Sequence, residues 1–289
     1  MTKKRRTIVF QGEPGANSHL ACRQVYPAYA AVPCPTFEDA FAKVRSGRAD
    51  LAMIPIENSI AGRVADIHHL MPDAGLHIIG ELFLPVRHQL LAPKGATLKT
   101  IKSVESHVHA LGQCRKIIRR LGLKPIVAAD TAGSAREVSE SKDVTRAAIA
   151  SGLAAKIYKL KVLRKNVEDE RHNTTRFIVL SRKAKWAPRS TKNIITTFVF
   201  QVRNIPAALY KALGGFATNG VNMTKLESYQ LGGKFSATLF YADVEGHPAD
   251  RALELALEEL KFVSQPGSLR ILGVYPAHRY RASLQAKAS

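Results

Sequence analysis

The sequence has few cysteines and no long apolar run. Cys22, Cys34 and Cys114 are scattered, odd in number and without C-x-x-C spacing, which argues against disulfides and zinc and for a reducing compartment. No apolar stretch approaches the length of a membrane span. The basic start MTKKRRTIVF lacks the apolar segment and cleavage site of a secretory signal. These absences predict a soluble, cytoplasmic protein.

Acidic residues are scarce in comparison with basic residues. The chain of 289 residues carries 43 Lys and Arg against 23 Asp and Glu, a formal net charge of +20. Such a charge is compatible with nucleic-acid binding or with attraction of a small anionic substrate. The sequence has no zinc-finger spacing, no aromatic RNA-binding signature and no basic recognition helix, and its basic residues are dispersed. A small anion is therefore favoured over nucleic acid.

The C-terminal part shows a compact strand and helix pattern after a polar, basic segment at 183–193, which reads as a linker. IITTFVFQVR predicts a strand, and NIPAALYKALGGFATNG predicts a helix with Pro206 in its first turn. Two strands joined at a Gly-Gly pair, a second helix and the strand SLRILGVYP follow. The order βαββαβ predicts a ferredoxin-like unit over 194–281, with a tail at 282–289.

Before the linker, strands and helices alternate, which predicts an α/β fold. The turn GEPGANSH opens a helix after the strand TIVFQ, and backbone N–H groups at such a helix start suit an anion. Several predicted strands and turns end in neutral hydrogen-bonding side chains. Each of these has an alternative role as a helix cap or turn former, but together they can line a ligand cleft at the carboxyl ends of strands. They are Asn58, Ser106, Gln113, Thr131, Thr174 and Thr175.

The segment HNTTRFIVL places Thr174, Thr175 and Arg176 where the chain enters a buried strand. Together with DLAMIPIENSIAG, SHVHALGQC, AAIASGLAAKIYKL and NVEDERHNTTRFIVL, it makes the chain resemble prephenate dehydratase, through the Thr-Arg-Phe motif above all. The C-terminal motifs NIPAALYKAL, NMTKLESYQ and ILGVYP resemble the family's regulatory ACT domain. The resemblance covers nearly the whole chain.

The resemblance implies a catalytic domain over 1–182 with two lobes like those of a type II periplasmic binding protein. One lobe is expected to hold about 1–80 plus 176–182, and the other 81–175. The active site is then expected between the lobes, and 194–281 is expected to be an ACT domain.

The implied activity is the decarboxylating dehydration of prephenate to phenylpyruvate in L-phenylalanine biosynthesis, a carbon–oxygen lyase reaction that needs no cofactor or metal. The resemblance makes Thr175 the hydrogen-bond donor to the leaving hydroxyl. Arg176 is expected to pair either with a substrate carboxylate or with Glu57 or Glu168. Phe177 completes the catalytic motif as core or cleft wall. The substrate-positioning residues implied are Asn58, Ser59, Ser106, Gln113, Thr131 and Thr174.

The resemblance also implies feedback inhibition by L-phenylalanine bound between ACT units of a homodimer or homotetramer. The family pattern departs here at two points: Ala207 replaces a glycine, and Tyr229-Gln230 replaces Arg-Pro. The alternative is that the unit serves only as a dimer interface. In the catalytic part, Val108-His109 replaces the family's Pro-Gln within the Ser106 motif. The effector site implied comprises Asn204, Ala207, Ala208, Leu209, Asn222, Glu227 and Ser228.

Two other functions stay open at this point. Arogenate differs from prephenate only by a side-chain amine, so an arogenate dehydratase fits the same pattern. A non-catalytic two-lobed sensor of small anions would share the architecture without needing the Thr-Arg-Phe motif.

Overall fold

A computed structural model describes residues 5–170, 172–203, 205–231 and 234–283 of the chain. Contacts divide it into two compact units. Unit 1 contains the described residues of Met1–Lys43, Ala52–Val64 and Phe83–Phe177, and unit 2 contains those of Val44–Leu51, Ala65–Leu82 and Ile178–Ser289. No helix in these ranges is long and apolar enough to cross a membrane.

The described residues before the predicted linker contain interspersed strands and helices, which agrees with the predicted α/β fold. The elements are β1 (Thr7–Gln11), α1 (Asn17–Val25), β2 (Ala30–Cys34), α2 (Phe37–Arg45), β3 (Leu51–Asn58), β4 (Gly62–Arg63), α3 (Ala65–Leu70), β5 (His77–Pro85), β6 (Gln89–Ala92), β7 (Ser103–Ser106), α4 (Val108–Gly112), α5 (Arg115–Arg120), β8 (Lys124–Val127), α6 (Thr131–Ser141), β9 (Arg146–Ala150), α7 (Gly152–Ile157), β10 (Lys161–Arg164) and β11 (Thr174–Ser181).

The remaining elements form the predicted βαββαβ order. They are β12 (Ile194–Gln201), α8 (Ala208–Thr218), β13 (Met223–Leu231), β14 (Lys234–Glu245), α9 (Arg251–Val263) and β15 (Arg270–Pro276).

Unit 1 contains a five-stranded sheet in the order β10-β6-β9-β7-β8. Successive residues of its strands point to opposite faces. Leu90 and Ile149 pack with α4 and α5 in one apolar cluster, whereas Leu91 and Ala150 pack with α6 and α7 in another. Both faces are therefore covered at the centre of the sheet, which explains why β6 and β9 are almost entirely buried and largely apolar. The strand order β11-β3-β1-β2 forms the other sheet region of this unit.

In unit 2, β13-β14-β12-β15 are neighbours in that order, and β12 is antiparallel to both β14 and β15. Phe198 and Phe200 of β12 pack against Phe216 of α8 and Leu257 of α9 in one buried cluster. Because β12 alternates, its residue Thr197 lies on the opposite face, where it is completely buried. The described elements of this region thus form one antiparallel sheet with α8 and α9 packed on the same face.

A buried polar network occupies that opposite face. Thr197 Oγ1 donates to Asp243 Oδ1 over 2.6 Å. Arg281 donates from Nη2 to Asp243 Oδ2 over 3.1 Å, and from Nε and Nη2 to the two carboxylate oxygens of Glu81 over 2.7 and 2.9 Å. The side chains of Glu81 and Asp243 are fully buried. One guanidinium therefore compensates two buried carboxylates.

Two local features differ from the expectation for 183–220. Helix α8 begins at Ala208, so Pro206 lies before the helix and not in its first turn. The reason is the backbone of Ala207, which is left-handed at φ 59° and cannot continue a right-handed helix. In the predicted linker, Ala187 is buried and its N–H donates to the carbonyl of Val274. The predicted domain boundaries stay predictions.

Candidate active site

Unit 1 contains a cavity of about 370 Å³ at the ends of several strands. Its wall begins with Gln11, the last residue of β1, and Gly12, and continues into the first residues of α1. The end of β3, the turn before β6 and the starts of α4, α6 and β11 complete it. The other lining residues are Ala16, Asn17, Ser18, Pro55, Asn58, Ala61, Val86, His88, His107, His109, Ala110, Gln113, Ala129, Asp130, Thr131, Asn173, Thr175 and Phe177.

Asn58 and Thr175 meet on this wall. The side-chain Nδ2 of Asn58 donates to Oγ1 of Thr175 over 2.9 Å and to Oδ1 of Asn173 over 2.8 Å. Its Oδ1 accepts the backbone N–H groups of Ile60 and Ala61. The Asn58 amide is therefore fixed at both ends. Because the Thr175 oxygen accepts this bond, its own hydrogen remains available for donation to a group in the cavity.

Alternation along β11 separates the predicted catalytic residues. Thr175 and Phe177 line the cavity, whereas Arg176 points to the other face and is 2% exposed. Its Nη1 donates to Glu57 Oε1 over 3.0 Å, and its guanidinium lies 5.8 Å from the ring centroid of Phe83. Of the two predicted roles for Arg176, the structure has the ion pair with Glu57. The Arg176 guanidinium is thus directed toward Glu57 and Phe83 and does not line the cavity.

Gln113 ties two other cavity residues together. Its Oε1 accepts from Asn173 Nδ2 over 2.7 Å and lies 3.0 Å from Nε2 of His88. Burial lowers the pKa of His88, and the hydrogen bond to Gln113 and the charge of Glu168 oppose this effect without reversing it. A neutral His88 satisfies the geometry when Nε2 carries the hydrogen and donates it to Gln113.

Ser106 does not line the cavity, contrary to expectation. Its side chain is completely buried, and its hydroxyl donates to the carbonyl of Ile149 over 2.6 Å. This bond joins the neighbouring strands β7 and β9, so the hydrogen of the Ser106 hydroxyl is used within the sheet. Its predicted substrate-positioning role stays a prediction. Thr131, in contrast, lines the cavity as the first residue of α6.

Ser59 and Thr174 also lie off the cavity wall. The Ser59 hydroxyl donates to the carbonyl of His172 and accepts the backbone N–H of Thr174, each over 2.9 Å. Thr174 is buried on the face of β11 opposite Thr175. Both residues hold the β11 entry against the loop after β3, and so position Thr175 indirectly.

Several residues of the cavity wall have no role predicted from the sequence. Gln11 and Gly12 were visible only as part of a glycine-bearing turn, and Asn17 as part of a helix start. His107 and Asp130 carried no distinctive spacing, because they approach each other only through the fold. Burial lowers the pKa of His107, with His109 adding to the effect and Asp130 opposing it.

Of the predicted effector residues, Asn204 lies outside the described residues. The others lie at the start of α8 or immediately before it, and on β13 or immediately before it. Ala207 caps α8 and Ala208 is buried. Leu209 packs partly buried against the core cluster of unit 2, so its side chain serves the core of its own unit. Asn222 Nδ2 donates to Glu245, the Glu227 carboxylate accepts from Lys225, and Ser228 is exposed.

Comparison with known proteins decides the family. The family model described as prephenate dehydratase matches residues 8–185, more than half of the chain. The chain belongs to the prephenate dehydratase family. Prephenate dehydratases are lyases, and the α/β mixed-sheet fold described above matches their solved structures.

Relatives of this family match almost the whole chain. A bifunctional N-acyl-homoserine lactone acylase/prephenate dehydratase of Komagataeibacter europaeus is 53% identical over 96% of this chain and 98% of the relative. Arogenate dehydratase/prephenate dehydratase 2 of Arabidopsis thaliana is 38% identical over 93% of this chain and 72% of the relative. The structure of prephenate dehydratase from Arthrobacter aurescens in complex with L-Phe has a TM-score of 0.85, 31% identity and 98% coverage of both chains.

Proposed function

We propose that this member of the prephenate dehydratase family converts prephenate to phenylpyruvate, carbon dioxide and water. The observation that carries the proposal is the hydrogen bond from Asn58 to Thr175 at the wall of a cavity of substrate size. It holds the threonine oxygen as an acceptor and directs its hydrogen away from Asn58. That hydrogen is then placed for the hydroxyl group that leaves the substrate.

The reaction requires positioning more than chemical activation. Prephenate carries two carboxylates and a ring hydroxyl. When the ring carboxylate leaves as CO₂, its bonding electrons enter the ring, the ring becomes aromatic, and the hydroxyl departs as hydroxide, which takes a proton from solvent and becomes water. Thr175 donates a hydrogen bond that strengthens as negative charge develops on the departing oxygen. A positioned donor of this kind contributes roughly 10²–10⁴-fold to a rate.

Neutral groups and helix starts supply the anion contacts. The first residues of α1 and α6 line the cavity, and backbone N–H groups at helix starts favour carboxylates. Asn58, Gln113, Asn173 and Thr131 add neutral hydrogen-bonding side chains on the same wall. Arg176 acts through the ion pair with Glu57, which orders β3 and β11 beneath Asn58 and Thr175. We propose no cofactor.

The β12-to-β15 unit is proposed to be an ACT domain that binds L-phenylalanine between neighbouring copies in a homodimer or homotetramer. The βαββαβ order and the L-Phe complex of the Arthrobacter aurescens relative support this. The residues proposed to contribute are Asn204, Ala207, Ala208, Leu209, Asn222, Glu227 and Ser228. A two-lobed arrangement of the catalytic region and a cytoplasmic location belong to the same proposal.

Two observations support further substrates. The Arabidopsis thaliana relative is named for arogenate as well as prephenate. The Komagataeibacter europaeus relative is also named as an N-acyl-homoserine lactone acylase, and here His107, His109 and Asp130 line the cavity. A neutral His107 is suited to take a proton from water that attacks an amide carbonyl. We therefore propose amide hydrolysis of that substrate class as a second activity.

One set of assays separates these activities. The purified chain, with no cofactor added, is supplied in parallel with prephenate, arogenate and an N-acyl-homoserine lactone, and phenylpyruvate, phenylalanine and free fatty acid are measured. We expect phenylpyruvate from prephenate. Tight prephenate binding without product would indicate the sensor function instead, and a negligible yield from prephenate beside a large yield from another substrate would reassign the primary activity.

A further inference from the structure

The segment between β5 and β6 forms a wall with a cavity on each side. Val86 and His88 line the candidate active site. The alternate residues Pro85, Arg87 and Gln89 line a second cavity of about 620 Å³. Successive side chains of an extended segment point in opposite directions, so a group bound in the second cavity, here termed the back cavity, rests against the reverse side of the active-site wall.

The charged residues of the back cavity are all basic. Among the described residues that line it, Arg23, Arg87 and Lys156 carry charge, and there is no aspartate or glutamate. Arg87 donates to Glu168 Oε1 over 3.2 Å, but the side chain of Glu168 is only 3% exposed, whereas that of Arg87 is 42% exposed. Glu168 thus holds Arg87 from the buried side, and Arg87 lines the cavity with a partly exposed side chain.

The three cations come from three different segments that are held together. Arg23 lies on α1, which follows β1, and Lys156 lies on α7, which follows β9 in the other sheet. The turn before α1 touches α7, because Ser151 Oγ donates to the Gly15 carbonyl over 2.5 Å. A Cβ atom added at Gly15, where φ is +99°, would lie 2.8 Å from Cα of Ala154. The close approach of this turn to α7 depends on that glycine.

We propose that the back cavity binds a compact anion with two or more negative charges, such as a pyrophosphate or a tricarboxylate, through Arg23, Arg87 and Lys156. Arg23 and Lys156 are like charges on one cavity, while Arg87 is paired with Glu168. A multivalent anion can accept charge-assisted hydrogen bonds from all three side chains. The amides of Asn17 and Gln89 on the same wall provide further donors. Such an anion joins α1 to α7 across the segment that carries His88.

Binding is tested by titration calorimetry of the full chain with pyrophosphate, and in a second arm with citrate, at low ionic strength. We expect saturable binding with one anion per chain. The double variant Arg23→Gln/Lys156→Gln should bind about tenfold more weakly or worse. The matched control Lys99→Gln/Arg120→Gln removes the same charge from exposed positions outside the cavity and should bind like the parent chain.

Several outcomes decide the proposal. Binding by only one of the two anions would identify whether phosphate or carboxylate groups are preferred. Absence of saturable binding, or an equal loss in both double variants, would overturn it by indicating only general attraction to a basic chain. If Arg23→Gln/Lys156→Gln unfolds, Arg23→Lys/Lys156→Arg, which keeps the charges, must retain binding.

A consequence for catalysis rests on the proposed function. Because Arg87 and His88 are adjacent, an anion held by Arg87 should change the KM for prephenate, and the double variant should lose this response. Calorimetry measures anion binding without turnover. Absence of anion binding therefore refutes the back-cavity site, whereas anion binding without phenylpyruvate formation refutes only the proposed dehydratase activity.

Discussion

Asn58 Nδ2 lies 2.9 Å from Thr175 Oγ1, although the two residues are 117 positions apart in the chain. The amide, itself fixed by the backbone of the following turn, determines which side of the threonine oxygen accepts a hydrogen bond. The orientation of the Thr175 hydroxyl is therefore a property of the folded unit and not of the Thr-Arg-Phe motif alone.

Removal of the Thr175 hydroxyl should abolish most turnover. Thr175→Ala is expected to lower kcat by roughly 10²–10³-fold with a smaller change in KM, because the hydroxyl acts mainly in the transition state. Thr175→Ser should retain part of the activity. Steady-state phenylpyruvate formation measures both. A folded Thr175→Ala protein with the parent kcat would show that another group assists departure of the hydroxyl.

Asn58→Ala should also lower kcat, because Thr175 then loses the amide that orients it. A double-mutant cycle with Thr175→Ala distinguishes orientation of Thr175 from a direct contact between Asn58 and the substrate. When Thr175→Ala is already present, Asn58→Ala should cost much less than it does in the parent chain, as a double-mutant cycle of kcat reports. Fully additive losses would mean that Asn58 contacts the substrate independently.

His88 should make stability depend on pH. Its folded-state pKa is lowered by burial, so below the unfolded pKa of about 6.5 the unfolded chain binds more protons than the folded chain. Stability is therefore fully present above that pH and falls as the pH decreases through it. Urea unfolding between about pH 7.5 and 5 should show a shallower pH dependence for His88→Gln than for the parent chain. Parallel profiles would assign the loss to other groups.

Ala207→Gly should stabilise unit 2. Relief of the left-handed alanine backbone contributes about 1 kcal/mol, and the greater entropy of glycine in the unfolded chain offsets part of it. We expect the free energy of unfolding to rise by about 0.5 kcal/mol. The matched control Ala217→Gly, inside α8 and exposed, should lose about 1 kcal/mol.

The proposed L-phenylalanine site gives the same variant a second expected effect. Ala207→Gly should tighten inhibition by L-phenylalanine, because the methyl group is removed, and Asn222→Ala should weaken that inhibition.

Arg281→Gln should destabilise unit 2 by roughly 3–5 kcal/mol, because the buried carboxylates of Glu81 and Asp243 would lose the guanidinium that bridges them. Arg279→Gln, at an exposed position two residues away, should change stability by less than about 0.5 kcal/mol. Denaturant titration of the three proteins provides the comparison. Similar effects of the two variants would indicate that the carboxylates find other compensation.

The sequence predicted the element order well and the contacts poorly. Alternation, the glycine turn and the βαββαβ order depend on local periodicity, which the chain displays directly. Ser106 and Arg176 show the limit. Both stand beside cavity residues in the sequence, but strand alternation and long-range partners turn Ser106 toward Ile149 and Arg176 toward Glu57. The back cavity is formed by α1, the β5–β6 connection and α7. These segments are distant in the chain, so residue spacing in the sequence does not predict that they lie together.

The guanidinium that bridges Glu81 and Asp243 also constrains the order of events during synthesis. Glu81 is synthesised 200 residues before Arg281, so the ion pair that offsets part of the cost of burying its carboxylate forms late. The residues assigned to unit 1 end at Phe177, so that unit can complete its contacts while translation continues. Unit 2 lacks this bridging guanidinium until residue 281 is made. A pause in translation shortly before that point should therefore leave a nascent chain with one finished unit and one that is still open to proteases and chaperones.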